Sequence, residues 1–195
     1  MSGHVVLDVS MSLDGFIARP DDDPGVLHDW IFRDAETRPA RRGDSVFAAD
    51  PLLLESFENT GAMLMGRRTF DLGEEPWGAD PPFMVPVFVL THRARDPLVK
   101  GATTFTFVTG GVESEVERAR EAAGGKDVGV MGAGVAQQVL TAGLLDEMHI
   151  HLGPVLYGEG VRLFEAFDTG HVGLELTRVI EGEGVTHLRY RVVGR

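Results

Sequence analysis

Cysteine is absent from the 195 residues, which excludes disulfides and thiolate-bound metals. Long hydrophobic runs are absent too: none approaches the roughly 18 residues a membrane span needs. Met1-Ser2-Gly3-His4 has no basic stretch leading into an apolar one, so no secretory signal is read, and a cytoplasmic chain is expected. Positive charge is scarce, with 18 Lys and Arg against 30 Asp and Glu and a formal net charge of −12. A nucleic-acid binder needs a basic stripe to displace counterions from phosphates, so that class is excluded. No basic amphipathic helix points to a membrane surface. What is present is a 43% hydrophobic composition, enough for a packed core in one domain spanning 1–195.

The acidity is uneven. Residues 1–60 carry −7, residues 61–100 are neutral, and residues 101–195 carry −5. The neutral window holds Arg67-Arg68 and Arg93 with Arg95. A small anionic ligand could use these cations, whereas a polynucleotide would run onto acidic surface.

Short β-branched runs at 4–10, 62–65, 85–90, 104–108 and 128–131 read as strands. Helical spacing appears at 26–32, 46–57, 113–123 and 135–142, with Pro51 as a helix start and Gly143 as a stop. Asp21-Asp22-Asp23 reads as a solvated loop. After residue 146 the alternation ceases, and 147–152, 174–180 and 185–193 are strands, the last two joined at Gly182-Glu183-Gly184. This pattern predicts an α/β fold whose mixed sheet is mostly parallel, with antiparallel C-terminal strands.

In open α/β sheets, ligands sit beyond the carboxyl ends of the strands. Three such ends carry suitable chemistry. Gly66-Arg67-Arg68-Thr69 combines a flexible turn, a possible helix cap in Thr69, and two guanidinium groups suited to phosphate. A plain strand-to-helix turn with solvated arginines explains it equally well. Thr91-His92-Arg93 offers a hydroxyl, a ring and a cation, or simply a polar loop. Gly132-Ala133-Gly134-Val135-Ala136 has the small residues that let a diphosphate reach backbone amides, without being a P-loop or a full dinucleotide fingerprint.

Several stretches together resemble the dihydrofolate reductase-like reductases typified by the C-terminal domain of the riboflavin-biosynthesis protein RibD. They are Ser12-Leu13-Asp14-Gly15-Phe16-Ile17-Ala18, Gly66-Arg67-Arg68-Thr69-Phe70, Gly132-Ala133-Gly134, and Leu145 through Gly160 with Leu163-Phe164, in that order. The resemblance implies a three-layer α/β/α fold, a homodimer, NADPH as cofactor and a small-molecule substrate. It also implies roles. Arg67, Arg68 and Thr69 would face the 2′-phosphate or diphosphate, Thr91, His92 and Arg93 the adenine ribose, and Gly132 through Ala136 the diphosphate. Val9, Ser10 and Ile17 would frame the nicotinamide. Ala133 departs from the Gly-Gly of many relatives and brings an extra methyl toward the diphosphate.

On the substrate side, Asp14, Asp29 and Trp30 are the candidates, with a turn role for Asp14 and a solvent-facing Asp29 as competing readings. His149 and His151 alternate on one strand face and read as hydrogen-bonded strand histidines rather than metal ligands. Ser10 and Ser12 lack a nucleophile elbow. The expectation is hydride transfer to a C=N or C=O of a pterin-, aminopyrimidine- or flavin-like substrate. A dinucleotide-binding module without turnover and a dimeric interaction protein are the alternatives.

Overall fold

The computed structural model describes residues 3–32, 51–165 and 170–193. Strand β1 (Val5–Ser12) is an inner strand, fourth in a nine-stranded sheet, and its side chains alternate between the two faces. The short β2 (Phe16–Ala18) follows, and then a 3-10 turn at Gly25–His28 leads into α1 (Asp29–Phe32). The helical spacing at 26–32 is thus divided between two helix types.

Helix α2 (Pro51–Asn59) starts at the anticipated proline, while residues 46–50 of the same sequence reading lie outside the described residues. Then come β3 (Thr60–Gly66), α3 (Arg67–Gly73), β4 (Pro86–Leu90), β5 (Leu98–Lys100) and β6 (Thr103–Val108). Helix α4 (Val112–Ala123), β7 (Asp127–Met131) and α5 (Ala133–Thr141) continue the alternation. The chain closes with β8 (Glu147–Gly153), β9 (Val161–Arg162), β10 (Gly173–Gly182) and β11 (Val185–Val193).

The sheet order is β10-β11-β8-β1-β7-β3-β4-β6-β5, and β2 pairs with β9 in a separate two-stranded ribbon. Strands β8, β1, β7, β3, β4 and β6 run parallel, whereas β11, β10 and β5 are antiparallel to their neighbours. The mixed, mostly parallel sheet is therefore as anticipated. Strands β2, β5 and β9 are additions, each two or three residues long and too short to show a period.

Alternation along the strands builds two cores. One face carries Val5, Leu7, Leu64, Val130 and Ile150 against Val116 and Ala119 of α4 and Ala136 and Val139 of α5. The other carries Met65, Val87, Val89 and Phe105 beneath Phe70 of α3. Farther along that face, Trp30 and Ile31 pack with Leu53 of α2 and Val185 of β11. Helices thus cover both faces, which makes three layers. Strand β10 forms one edge of the sheet, with Leu174, Leu176 and Val179 open to solvent.

Candidate functional site

A cavity of about 530 Å³ opens at the C-terminal ends of β3 and β7. Arg68 enters it from the first turn of α3, Ala133 and Gly134 from the first turn of α5, and Arg162 from β9. A side chain at Gly134 would meet nothing within 4 Å, so this backbone is open to close approach. Gly132 is different. Its φ of +91° suits glycine, and an added Cβ would lie 2.3 Å from Thr69 Oγ1. The two turns are therefore locked together by a glycine facing a threonine. Gly66 sits in the same contact zone, where a Cβ would be 3.5 Å from Val135 Cγ2.

Helix α3 corrects the expectation for Thr69. The N-cap is Gly66, with no side-chain cap hydrogen bond, and Thr69 lies within the helix. A chain leaving a strand through glycine reaches helical geometry one residue later, too early for Thr69 to cap it. At α5, Val135 and Ala136 are buried in the core, and the Ala136 N–H donates to the Gly132 carbonyl at 3.0 Å. The residues of this turn that line the cavity are Ala133 and Gly134.

The two neighbouring arginines point apart. Arg68 reaches the cavity and donates to Asp22 Oδ2 from Nε (3.0 Å) and NH2 (2.6 Å). Arg67 donates to Asp71 Oδ1 (2.7 Å), and its guanidinium lies 5.6 Å from the Phe107 ring centroid. Arg95 covers the same ring at 4.9 Å and pairs with Glu74. Beyond β4, Thr91 Oγ1 accepts the Arg93 N–H at 3.1 Å, and His92 and Arg93 are exposed. Two cationic zones result. One lies over the cavity, and the other runs along the ends of β4 and β6. Glu159 and Glu165 also line the cavity and oppose its cations.

A second cavity of about 420 Å³ shares Pro20 and Glu159 with the first and is lined by Arg19, Val26, Leu156 and Tyr157. Asp14 holds this end together. Its carboxylate accepts the Ser12 hydroxyl (2.6 Å), the Tyr157 N–H (3.1 Å) and the Gly158 N–H (2.7 Å). The Ser12 hydrogen bond is the largest influence; desolvation opposes it, and the Gly158 and Tyr157 hydrogen bonds then tip the balance to hold the carboxyl down at about 2. The Asp14 carboxylate is thereby committed to the turn and to the 157–158 segment.

Along β1, Val9 packs on the core shared with α4 and α5, as Ile17 does, while Ser10 faces the opposite side and is buried. Ser10 Oγ accepts the Trp30 indole N–H at 3.2 Å. Trp30 is buried, with its ring 4.7 Å from that of His151 and 5.1 Å from that of His187, whereas Asp29 beside it is exposed. The structure therefore separates these two candidates.

Under Trp30 lies a polar cluster. Parallel pairing sets Asp8 opposite His149 and Ser10 opposite His151. Asp8 Oδ1 accepts His151 Nε2–H at 2.9 Å, and Asp8 Oδ2 accepts the Ser56 hydroxyl at 2.7 Å, with His149 Nδ1 at 3.5 Å. His151 Nδ1 then meets His187 Nδ1 at 2.7 Å. Burial alone would raise the Asp8 carboxyl. The His151 charge and the hydrogen bonds from His149 and His151 outweigh it and hold that carboxyl well below the usual carboxylate range. His28 is depressed by desolvation and then by the charge of His151. His149 and His151 are hydrogen-bonded strand histidines, as anticipated. Asp8, Ser56 and His187 were not singled out, although polar residues at every second position of β1 (Asp8, Ser10, Ser12) were the available signal.

Comparison with known proteins places the chain in context. The sequence profile described as RibD C-terminal domain matches residues 3–187. A putative riboflavin biosynthesis protein from Shewanella sp. PV-4 is similar in structure, with a TM-score of 0.75, 23% identity and full coverage of both chains. A diaminohydroxyphosphoribosylaminopyrimidine deaminase/5-amino-6-(5-phosphoribosylamino)uracil reductase from Thermotoga maritima gives a TM-score of 0.65 at 15% identity, over 98% of this chain and 57% of that one. Dihydrofolate reductase from Enterococcus faecalis, in complex with NADP(H), gives 0.59 at 16% identity over 98% of each chain. These similarities show a dihydrofolate reductase-like fold.

Proposed function

Because the chain belongs to the RibD C-terminal domain family, we propose that it is an NADPH-dependent reductase of small heteroaromatic or sugar-linked substrates, of pterin, aminopyrimidine or flavin type. One observation carries the reading: Arg68 and the open backbone of Gly134 converge on one cavity at neighbouring strand ends. This is the position at which open α/β sheets take nucleotides. The reductase named from Thermotoga maritima and the NADP(H)-bound dihydrofolate reductase, which share the fold, support the same direction.

The residues fit such a cofactor. Gly134, without a Cβ, admits a diphosphate against the start of α5 with Arg162 as countercharge, and Arg68 would face the 2′-phosphate. Arg67 and the Thr91-His92-Arg93 end extend that positive zone toward the adenosine. Ala133 contributes its methyl group to the lining, and the groove remains open beside it at Gly134. The nicotinamide would be framed by the backbone at Val9 and Ser10 together with Ile17.

The dihydronicotinamide supplies the hydride when bound, and the protein orients it and excludes water. Orientation of donor and acceptor is worth on the order of 7–11 kcal/mol in favourable cases. The acceptor is a C=N or C=O bond. One domain, residues 1–195, performs this in the cytoplasm as a homodimer. The exposed Leu174, Leu176 and Val179 on the β10 edge support self-association.

Calorimetric titration with NADPH and NADH tests the proposal. Wild type should prefer NADPH, and the double replacement Arg67→Ala/Arg68→Ala should weaken NADPH far more than NADH. Equal loss for both would remove the 2′-phosphate from this arginine pair. Steady NADPH oxidation with a pterin or flavin acceptor separates a reductase from a binding module without turnover.

A further inference from the structure

Arg68 is already engaged by an anion. Asp22, 46 residues away in sequence, places one carboxylate oxygen within hydrogen-bond distance of both Nε and NH2. This carboxylate comes from the loop between β2 and the 3-10 turn, whose Pro20 lines the same cavity.

The loop is built to present it. Asp22 has φ +66°, and its N–H donates to the Arg19 carbonyl at 3.0 Å. The Arg19 N–H donates in turn to the Asp23 carbonyl at 2.9 Å, and the Arg19 and Asp23 side chains form an ion pair. Asp23 Oδ1 accepts the Gly25 N–H at 2.7 Å, and the Tyr157 hydroxyl donates to the Pro24 carbonyl. With both flanks bound, Asp22 is aimed at Arg68 by the backbone itself. Its side chain is 19% exposed against 69% for Arg68, so the carboxylate is the better-seated partner.

A guanidinium recognises carboxylate and phosphate by the same hydrogen-bonding geometry. The Asp22 carboxylate therefore occupies the seat that a cofactor phosphate would take. We propose that Asp22 sets the affinity and anion selectivity of this site as a built-in competitor for Arg68. The inference rests on the nucleotide reading of the cavity. A phosphate monoester, with about −1.5 to −2 charge and three acceptor oxygens, outcompetes a single carboxylate. A ribose hydroxyl has no charge with which to do so. A ligand without the monoester thus finds Arg68 closed, while one that carries it opens the pair. The exposure of Arg68 keeps the displacement cheap, which makes the bound phosphate exchangeable.

Calorimetric titration of wild type, Asp22→Asn, Asp21→Asn, Arg68→Ala and Asp22→Asn/Arg68→Ala with NADPH and NADH provides the test. Asparagine tolerates a positive φ, so Asp22→Asn removes charge without disturbing the loop. The expected result is a Kd for NADPH about two- to fivefold lower in Asp22→Asn, matching the worth of an exposed ion pair. NADH binding should be unchanged. Asp21→Asn alters net charge equally and should leave both ligands unaffected, and the double variant should behave as Arg68→Ala alone. NADPH binding that is intact yet indifferent to Asp22→Asn, or weakened by it, overturns the competitor role alone. Absence of saturable NADPH binding to wild type overturns the nucleotide reading and this inference with it.

Discussion

His151 Nδ1 and His187 Nδ1 face each other at 2.7 Å, and Asp8 holds the opposite nitrogen of His151 at 2.9 Å. Two imidazole nitrogens at that distance share a single proton, and the carboxylate requires His151 Nε2 to carry another. A buried chain of acid and two bases therefore runs from β1 through β8 to β11 and stitches three strands together. Because Trp30 lies over both rings, the same chain also seats α1 on the sheet.

Asp8→Asn should cost about 1.5–3 kcal/mol at neutral pH, the usual worth of hydrogen bonds to a charged partner. The folded-state carboxyl is depressed, so its contribution is present above the unfolded value near 3.9 and fades as pH falls below it. Urea denaturation at pH 7 and at pH 3 checks this, because the gap between wild type and variant should narrow in acid. A gap that stays constant with pH would mean that the variant acts through shape rather than charge.

Asp14 anchors a different part of the chain. Its carboxyl titrates at about 2, so the links to Ser12, Tyr157 and Gly158 should survive at pH 3 and fail only as pH drops through that value. Hydrogen exchange is the direct measurement. In Asp14→Asn the amides of Tyr157 and Gly158 should lose protection at neutral pH, while those of β7 should not. Unchanged protection at 157–158 would show that the segment is held by other contacts.

Gly132→Ala should destabilise the fold by about 1–3 kcal/mol, because it combines a φ of +91° with a Cβ 2.3 Å from Thr69 Oγ1. A double-mutant cycle separates the two causes. In a Thr69→Ala background the collision disappears and the backbone strain remains, so part of the loss should be recovered. Chemical denaturation of the four proteins gives the coupling. Strict additivity would mean that Thr69 and Gly132 do not press on each other.

Much of this arrangement was legible in local sequence. Runs of β-branched residues, Pro51 and the Gly143 stop located long elements because each signal acts within a few residues. The strand ends at Gly66, Leu90 and Met131 could likewise be read, since parallel strands must deliver their loops to one edge. Contacts made across the sheet were less accessible. Asp22 appeared as one of three solvated aspartates because its partner, Arg68, lies on a different element. Asp8 and His187 joined His151 through the pairing of three strands, and no spacing along the chain encodes that register. Thr69 failed as a cap for a smaller reason: Gly66 had already begun the helix.

The inner position of β1 also bears on how the protein is made. This strand is flanked on both sides by strands more than 120 residues downstream, with Val5 beside Val128 and Val6 beside Glu147. During synthesis it has no native partner strand on either side until most of the chain has emerged, and its apolar face of Val5, Leu7 and Val9 stays uncovered. Such high contact order slows folding and prolongs the lifetime of a sticky, unpaired segment. A ribosome stalled before residue 127 would thus carry a nascent chain whose β1 still lacks both partner strands, a natural target for a chaperone.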